Sequence, residues 1–277
     1  MISKRNICDL AASSRVVDDS YVQIVDPETD REEETRTDVI SRLVKGRRVL
    51  HVGCCDHVQL IDKKRADGTW LHDIICRQAE FCIGVDINQQ AVDHVHSLGI
   101  PNVYCADLTK GIPFDPKEAN VDLVVLGDIV EHLDSPVEFL RCLRENLGSA
   151  HQLLVTVPNA FCIENFENAC CGFERINSDH RFWFTPYTLC KVLVNAGYRV
   201  CDVRFVFRAA PEGYKWGSRE RAMLVETSPA MRDSLLVVAE SVGLQGYDDS
   251  IVEEASSAPQ IRRPRDIYAR LQSFEEK

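Results

Sequence analysis

Arg48-Val49-Leu50-His51-Val52-Gly53-Cys54-Cys55-Asp56-His57 is an apolar run that stops at a glycine and breaks into a polar loop. A buried parallel strand shows as a short continuous apolar run, and in open α/β sheets ligands sit outside the carboxyl ends of such strands. The stretch therefore reads as the first strand of a nucleotide-type fold and the loop that faces its ligand. Four further strands follow at Phe81–Asp86, 102–106, 121–127 and 152–157. Asp86, Asp107 and Asp128 stand 21 residues apart and each closes an apolar run, so three carboxylates belong on one edge of one sheet. That spacing is a strand–helix–strand repeat, the rhythm of a doubly wound α/β fold with parallel strands.

The segments between are read from their caps and apolar spacing. Val39, Ile40, Leu43 and Val44 recur at helical intervals before Gly46, a lead-in helix. The connection 58–80 is long, with a turn at Asp67-Gly68 and a helical pattern from Trp70. A helix over 88–98 is stopped by Gly99 and Pro101. Ser135-Pro136 and Thr185-Pro186 each place proline at a first helical position, opening helices that end at Gly148 and Gly197. Residues 160–184 lose periodicity while aromatic and polar groups accumulate, and a long irregular loop is more often functional than idle. Strands at 198–207 and 234–239, with a helical stretch at 218–223 between them, finish a seven-stranded sheet with an antiparallel strand. The expected organisation is an arm and lead-in helix over 1–46, one domain over 47–245 and a polar tail over 246–277. The charge run Asp30-Arg31-Glu32-Glu33-Glu34 and the basic cluster Arg262-Arg263-Pro264-Arg265 read as solvated chain.

A net charge of -11 over 277 residues argues against a surface that gathers phosphate backbones, so no nucleic-acid partner is expected and a small-molecule substrate is easier to accommodate. Twelve cysteines without an apolar leader at Met1-Ile2-Ser3-Lys4-Arg5 point to free thiols and a cytoplasmic setting. Neither Cys54-Cys55 nor Cys170-Cys171 makes a C-x-x-C pair, and no Cys/His block has zinc-finger spacing. No apolar run approaches the ~18 residues that span a bilayer, so no membrane partner is expected.

At the sheet edge, Asp86 is suited to accept both hydroxyl hydrogens of a ribose, or else to stabilise the N-terminus of the helix that follows. Asp107 with Leu108 can hold an adenine, the carboxylate taking the exocyclic amine and the backbone amide a ring nitrogen; the alternative is a plain loop carboxylate. The chain lacks G-x-G-x-x-G, with Cys55 two residues after Gly53, which counts against dinucleotide cofactors and favours a nucleoside without a pyrophosphate.

Val49 to His57, Gly84-Val85-Asp86-Ile87, Ala106-Asp107-Leu108, Gly127-Asp128-Ile129-Val130-Glu131-His132-Leu133 and Val155-Thr156-Val157-Pro158-Asn159 together resemble the ordered motifs of class I S-adenosylmethionine-dependent methyltransferases, over about residues 47–241. Glu131-His132-Leu133 and His180…Phe184-Thr185-Pro186 resemble the branch that methylates small molecules, sugars among them. The resemblance implies a Rossmann-like sheet and S-adenosyl-L-methionine as cofactor. It places the Gly53 loop, with Cys54 and Asp56, at the methionine end, Asp86 and Ile87 at the ribose, Asp107 and Leu108 at the adenine, and Gly127 and Asp128 beside the methyl-transfer site. His51 stands where relatives usually carry an acid, and Cys55 and His57 where they carry glycines. Some relatives share a Gly-Cys-x-Asp-His variant, and Asp56 or His57 can supply the polar contact that the missing acid does not.

Methyl transfer asks for in-line positioning, a dry pocket and removal of a proton from the acceptor. His132 and His180 are the candidate bases, each with a structural alternative as a first-turn or loop histidine. Asp128, His132 and His180 can also group around a metal, but their spacing does not require one and none is expected. The expected activity is transfer of a methyl group to an oxygen of a small-molecule or carbohydrate acceptor. The competing readings are a non-catalytic binding or scaffold protein that retains the fold, and a dinucleotide-dependent oxidoreductase, which the missing glycines disfavour.

Overall fold

A computed structural model describes residues 34–148, 150–209 and 219–242, together with Ile7, Ala11, Ile24 and Val25. The tail over 246–277, its basic cluster and nearly all of the arm before residue 34 lie outside the described residues. A helix α1 (Arg36–Val44) leads into β1 (Arg48–Val52). Two helices, α2 (Val58–Ala66) and α3 (Leu71–Gln78), separate it from β2 (Phe81–Asp86). Then come α4 (Gln89–Ser97), β3 (Val103–Cys105), the single turn α5 (Pro116–Ala119), β4 (Leu123–Gly127), a 3₁₀ turn at Val130–His132, α6 (Pro136–Leu147) and β5 (Gln152–Pro158). The described chain closes with α7 (Ile163–Cys170), α8 (Pro186–Asn195), β6 (Tyr198–Val206), α9 (Arg219–Thr227) and β7 (Ser234–Ser241).

The seven strands form one sheet in the order β3-β2-β1-β4-β5-β7-β6. Strands β1 to β5 pair in parallel, while β7 runs antiparallel between β5 and β6. Successive side chains on a strand point to opposite faces, so strands that are apolar throughout bury both. On one face Leu50, Val124, Leu126, Leu153 and Val155 pack with Leu140 and Leu143 of α6 and Leu189 and Leu193 of α8. On the other, Val49, Leu123, Val125 and Leu154 pack with Val39, Ile40 and Val44 of α1 and Ile75 of α3. The lead-in helix is thus part of a layer of the domain rather than an appendage to it.

Three features differ from the sequence reading. The long connection holds α2 as well as α3; α2 buries only Ile61 of its nine residues, so it carries no apolar stripe to read. The stretch 160–184 is not wholly irregular, since α7 lies within it, again with one buried residue, Ile163. Glu34, the end of the charge run, is not a solvated group: it pairs with Arg42 and, at 3.2 Å, with Arg204 of β6.

Candidate functional site

The chain moves outward from β1 to β2 and β3, then crosses back to pair β4 on the other side of β1. The strand order thus has its switch point between β1 and β4, the place where ligands of open α/β sheets bind. Gly53 is the first residue beyond β1, with φ +66° and its N–H donating to the Val85 carbonyl at 2.8 Å. A Cβ here would press into Ile129, 2.7 Å from its Cγ1 and nearer still to Cδ1. Both the left-handed backbone and the contact require glycine.

Asp86 closes β2 and organises the same loop. Its Oδ2 accepts from the Cys55 N–H at 2.9 Å and its Oδ1 from the Asn88 N–H at 3.0 Å. Burial raises its pKa above the usual carboxylate value, against the pull of those amides. Next to it, Ile87 leaves 75% of its surface exposed at the ligand edge. Asp107 binds locally: its Oδ1 accepts from the Thr109 hydroxyl at 2.6 Å and the Thr109 N–H at 3.0 Å, and Lys110 reaches Oδ2 at 3.0 Å. Thr109 and Lys110 push its pKa down to about 2. Leu108 is buried, so only its backbone remains for a ligand.

The rest of the first loop is committed to the fold. The Cys54 thiol lies in the core with Ile61 and Trp70, against the face of Gly84. Asp56 pairs with Lys64 and accepts from its neighbour's N–H at 3.0 Å, whereas His57 is exposed. His51 is buried with its Nδ1 3.2 Å from Nδ1 of His72. Burial, His72 and Arg36 together hold the His51 imidazole well below its ordinary pKa, so it stays neutral and does not replace an acid.

Gly127 ends β4, and Asp128 after it has φ +56°. The Asp128 carboxylate is occupied: Arg36 of α1 pairs with Oδ2, and the Thr156 hydroxyl donates to Oδ1 at 3.0 Å. Burial pushes this carboxyl up, but Arg36, Arg208 and the Thr156 hydrogen bond outweigh burial and hold it below its ordinary value. Arg36, not anticipated from the sequence, thus ties the front helix to the site.

The 3₁₀ turn after β4 carries Glu131 and His132. The irregular segment folds back on this turn because its ends are joined at β5: Asn159 bridges Phe184, and the Ala160 N–H donates to the Phe184 carbonyl at 2.9 Å. Within it, the Arg181 N–H donates to the Glu131 carbonyl at 2.8 Å, which sets His180 beside His132 with ring centroids 4.6 Å apart, edge to face. His132 Nδ1 stands 3.2 Å from both the Asp179 carbonyl and its Oδ2. Burial and His132 keep the His180 imidazole below its ordinary pKa. Glu131 has no exposed surface, and burial, reinforced by Asp128, pushes its carboxyl up to about 8. The two sequence candidates for the base are here together; Glu131, which the sequence offers only as part of a motif, joins them.

Comparison with known proteins places this edge in context. A family model described as a methyltransferase domain matches residues 28–203. Among curated proteins no sequence matches the chain. Among solved structures, the Haloferax volcanii complex between the Trm112 methyltransferase activator and a methyltransferase contains a chain that is 16% identical, with 74% of this chain and 88% of that chain covered and a TM-score of 0.52. A SAM dependent methyltransferase from Archaeoglobus fulgidus is 21% identical over 75% of this chain and 95% of its own, with a TM-score of 0.44. The magnesium protoporphyrin IX methyltransferase of Synechocystis PCC 6803, solved with bound SAH, is 13% identical over 74% and 82%, with a TM-score of 0.48. At 16% identity the Haloferax volcanii chain speaks to fold alone, whereas the family match takes in every strand from β1 to β5 and the helices that flank them. The chain belongs to the methyltransferase-domain family, the class I enzymes that use S-adenosylmethionine as methyl donor.

Proposed function

We propose that this chain is a cytoplasmic enzyme that methylates an oxygen of a small hydroxyl-bearing acceptor, a carbohydrate or a molecule like it. The observation that carries the reading is the grouping of Glu131 and His132, from the turn after β4, with His180, from the segment that joins β5 to α8. S-adenosylmethionine supplies an electrophilic methyl group on a sulfonium centre.

The residues at the edge fit that cofactor. Each oxygen of Asp86 accepts one backbone N–H, and a carboxylate oxygen has a second lone pair to offer a ribose hydroxyl. The exposed Ile87 gives an apolar face beside it, Asp107 and the Leu108 backbone lie at the end of β3 for the adenine, and the Gly53 turn, with Ile129 packed against it, offers its backbone to the methionine end. Gly127 and the backbone of Asp128 then border the transfer site. In the segment that joins β5 to α8, Phe161, Phe166, Phe173 and Phe182 are exposed, 45%, 61%, 72% and 40% respectively, and offer flat apolar faces to an acceptor ring. The cluster assists removal of the proton of the acceptor hydroxyl, imidazole being a side chain suited to chemistry near neutral pH.

Isothermal titration with S-adenosylmethionine and with S-adenosylhomocysteine tests the cofactor assignment; a fold retained as a scaffold binds neither. Asp86→Ala is expected to lose cofactor affinity at an unchanged circular dichroism spectrum, and equal affinity rejects the ribose assignment. With an acceptor in hand from a screen of sugars and other hydroxyl compounds, His132→Ala and His180→Ala are each expected to lower turnover by about a hundredfold or more, the usual loss on removing acid–base assistance. Full activity in both removes the cluster from the chemistry.

A further inference from the structure

Both carboxylate oxygens of Glu131 and the Nδ1 of His180 are buried without a hydrogen-bond partner. A buried carboxylate left unpaired is costly, and such groups in proteins are ordinarily paired or bound to a metal. His132 points the other way on this question only for one nitrogen: its Nδ1 is engaged by Asp179, which fixes the ring and leaves Nε2 with its lone pair. Carboxylate or carbonyl contact to one imidazole nitrogen is the usual support of a histidine that binds metal through the other. The ligand atoms of Glu131, His132 and His180 all lie within 4.8 Å of one another. Ligands that share one ion at zinc-type bond lengths stand roughly 3–4 Å apart, so modest side-chain rotation brings these three onto a common centre.

We infer that Glu131, His132 and His180 bind one divalent cation of the zinc, cobalt or manganese class, whose remaining coordination positions take oxygen atoms of the methyl acceptor. Two imidazoles and a carboxylate suit these ions and leave positions open for a substrate, as catalytic rather than structural sites do. The acceptor half of the inference rests on the methyltransferase reading above; the cation half stands on the three side chains alone. With the cation bound, His132 and His180 are ligands, and the hydroxyl of a coordinated acceptor releases its proton to water more readily because the ion stabilises the oxyanion. A second group, His72, Cys76 and Cys82, also has converging donor atoms, but His72 is already engaged by His51 and both thiols, with Cys76 Sγ 3.6 Å from Nε2. It serves as the control.

The test uses the full chain, stripped with a chelator and titrated with Co²⁺ while visible absorption is followed. One equivalent is expected to bind, to be displaced by Zn²⁺, and to bind more than about tenfold more weakly in Glu131→Gln, His132→Ala and His180→Ala, since even an outer partner of a metal ligand is worth that much. Cys76→Ser is expected to bind as the unaltered protein does. Glu131→Gln keeps the shape of the side chain, so its melting temperature without metal is expected to be at least that of the unaltered protein, and Zn²⁺ is expected to raise only the latter. Absence of saturable Co²⁺ and Zn²⁺ binding, or equal binding in the three variants, overturns the inference. Titration of each protein with S-adenosylhomocysteine reports on the methyltransferase reading separately, because none of the three residues is assigned to the cofactor.

Discussion

A methyl group added at Gly53 meets two obstacles, a left-handed backbone and the Ile129 side chain. Strain at such a φ and overpacking each cost about 1–3 kcal/mol, so Gly53→Ala is expected to lower stability by about 2–4 kcal/mol, read as a fall in the urea midpoint at constant slope. Ile129→Val removes the atom that would be struck first but keeps the Cγ1 position 2.7 Å away, so it should restore part of the steric share and none of the conformational one; no recovery would show that the backbone alone sets the cost. The same residue scale explains why Asp86 and Asp107, equivalent by spacing, are unequal in structure. Asp86 is partly buried and holds the Gly53 loop through the Cys55 amide, whereas Asp107 closes its own turn on Thr109 and Lys110.

The front helix α1 is fastened at its N-terminus to elements of the site. Its N-terminus has a capping box in which the Thr35 hydroxyl accepts from the Asp38 N–H and Asp38 answers the Thr35 N–H, and the Arg36 N–H donates to the Phe207 carbonyl at 2.7 Å. Thr35→Ala is expected to cost about 1 kcal/mol, measured by the same unfolding experiment. The Arg36–Asp128 pair joins this helix to the end of β4. Asp128→Asn tests it with little backbone disturbance, since asparagine tolerates a positive φ. The folded pKa of Asp128 lies below the ordinary carboxylate value, so its contribution is complete above about pH 4, the unfolded value, and is lost as pH falls through the folded one. The melting-temperature gap between the unaltered protein and Asp128→Asn is therefore expected to be flat from about pH 7 to 5 and to narrow below about pH 4. A gap independent of pH down to unfolding would show that the charge of Asp128 does not stabilise the fold.

At the scale of the molecule, the strand order reverses direction between β1 and β4, and the candidate site residues follow the carboxyl ends of β1, β2, β3, β4 and β5. A ligand seated there binds the folded chain only, so S-adenosylhomocysteine at about a hundred times its Kd is expected to stabilise by about 2.7 kcal/mol and raise the melting temperature. NAD at the same concentration is expected to leave it unchanged, because no glycine-lined loop lets a pyrophosphate approach the backbone. A shift with NAD and none with S-adenosylhomocysteine would reverse the cofactor assignment.

The amino-acid sequence by itself determined the alternating α/β class, the five parallel strands, the carboxylate edge and the glycine turn, because buried strands, proline-led helices and repeat spacing are written in short stretches of chain. Helices α2 and α7 escaped it, since each buries a single side chain and so has no periodic stripe. Their helical form is settled by what they pack against. Only the tertiary structure decided what the edge residues touch: Arg36 reaches Asp128 across 92 residues of chain, and His132 meets Asp179 across 47. The same folding-back turned Glu131 from a turn residue into a buried, unpaired carboxylate beside two imidazoles. Such meetings depend on where a long loop closes on the sheet, and closure is set by the sum of distant packing contacts, which no local pattern records.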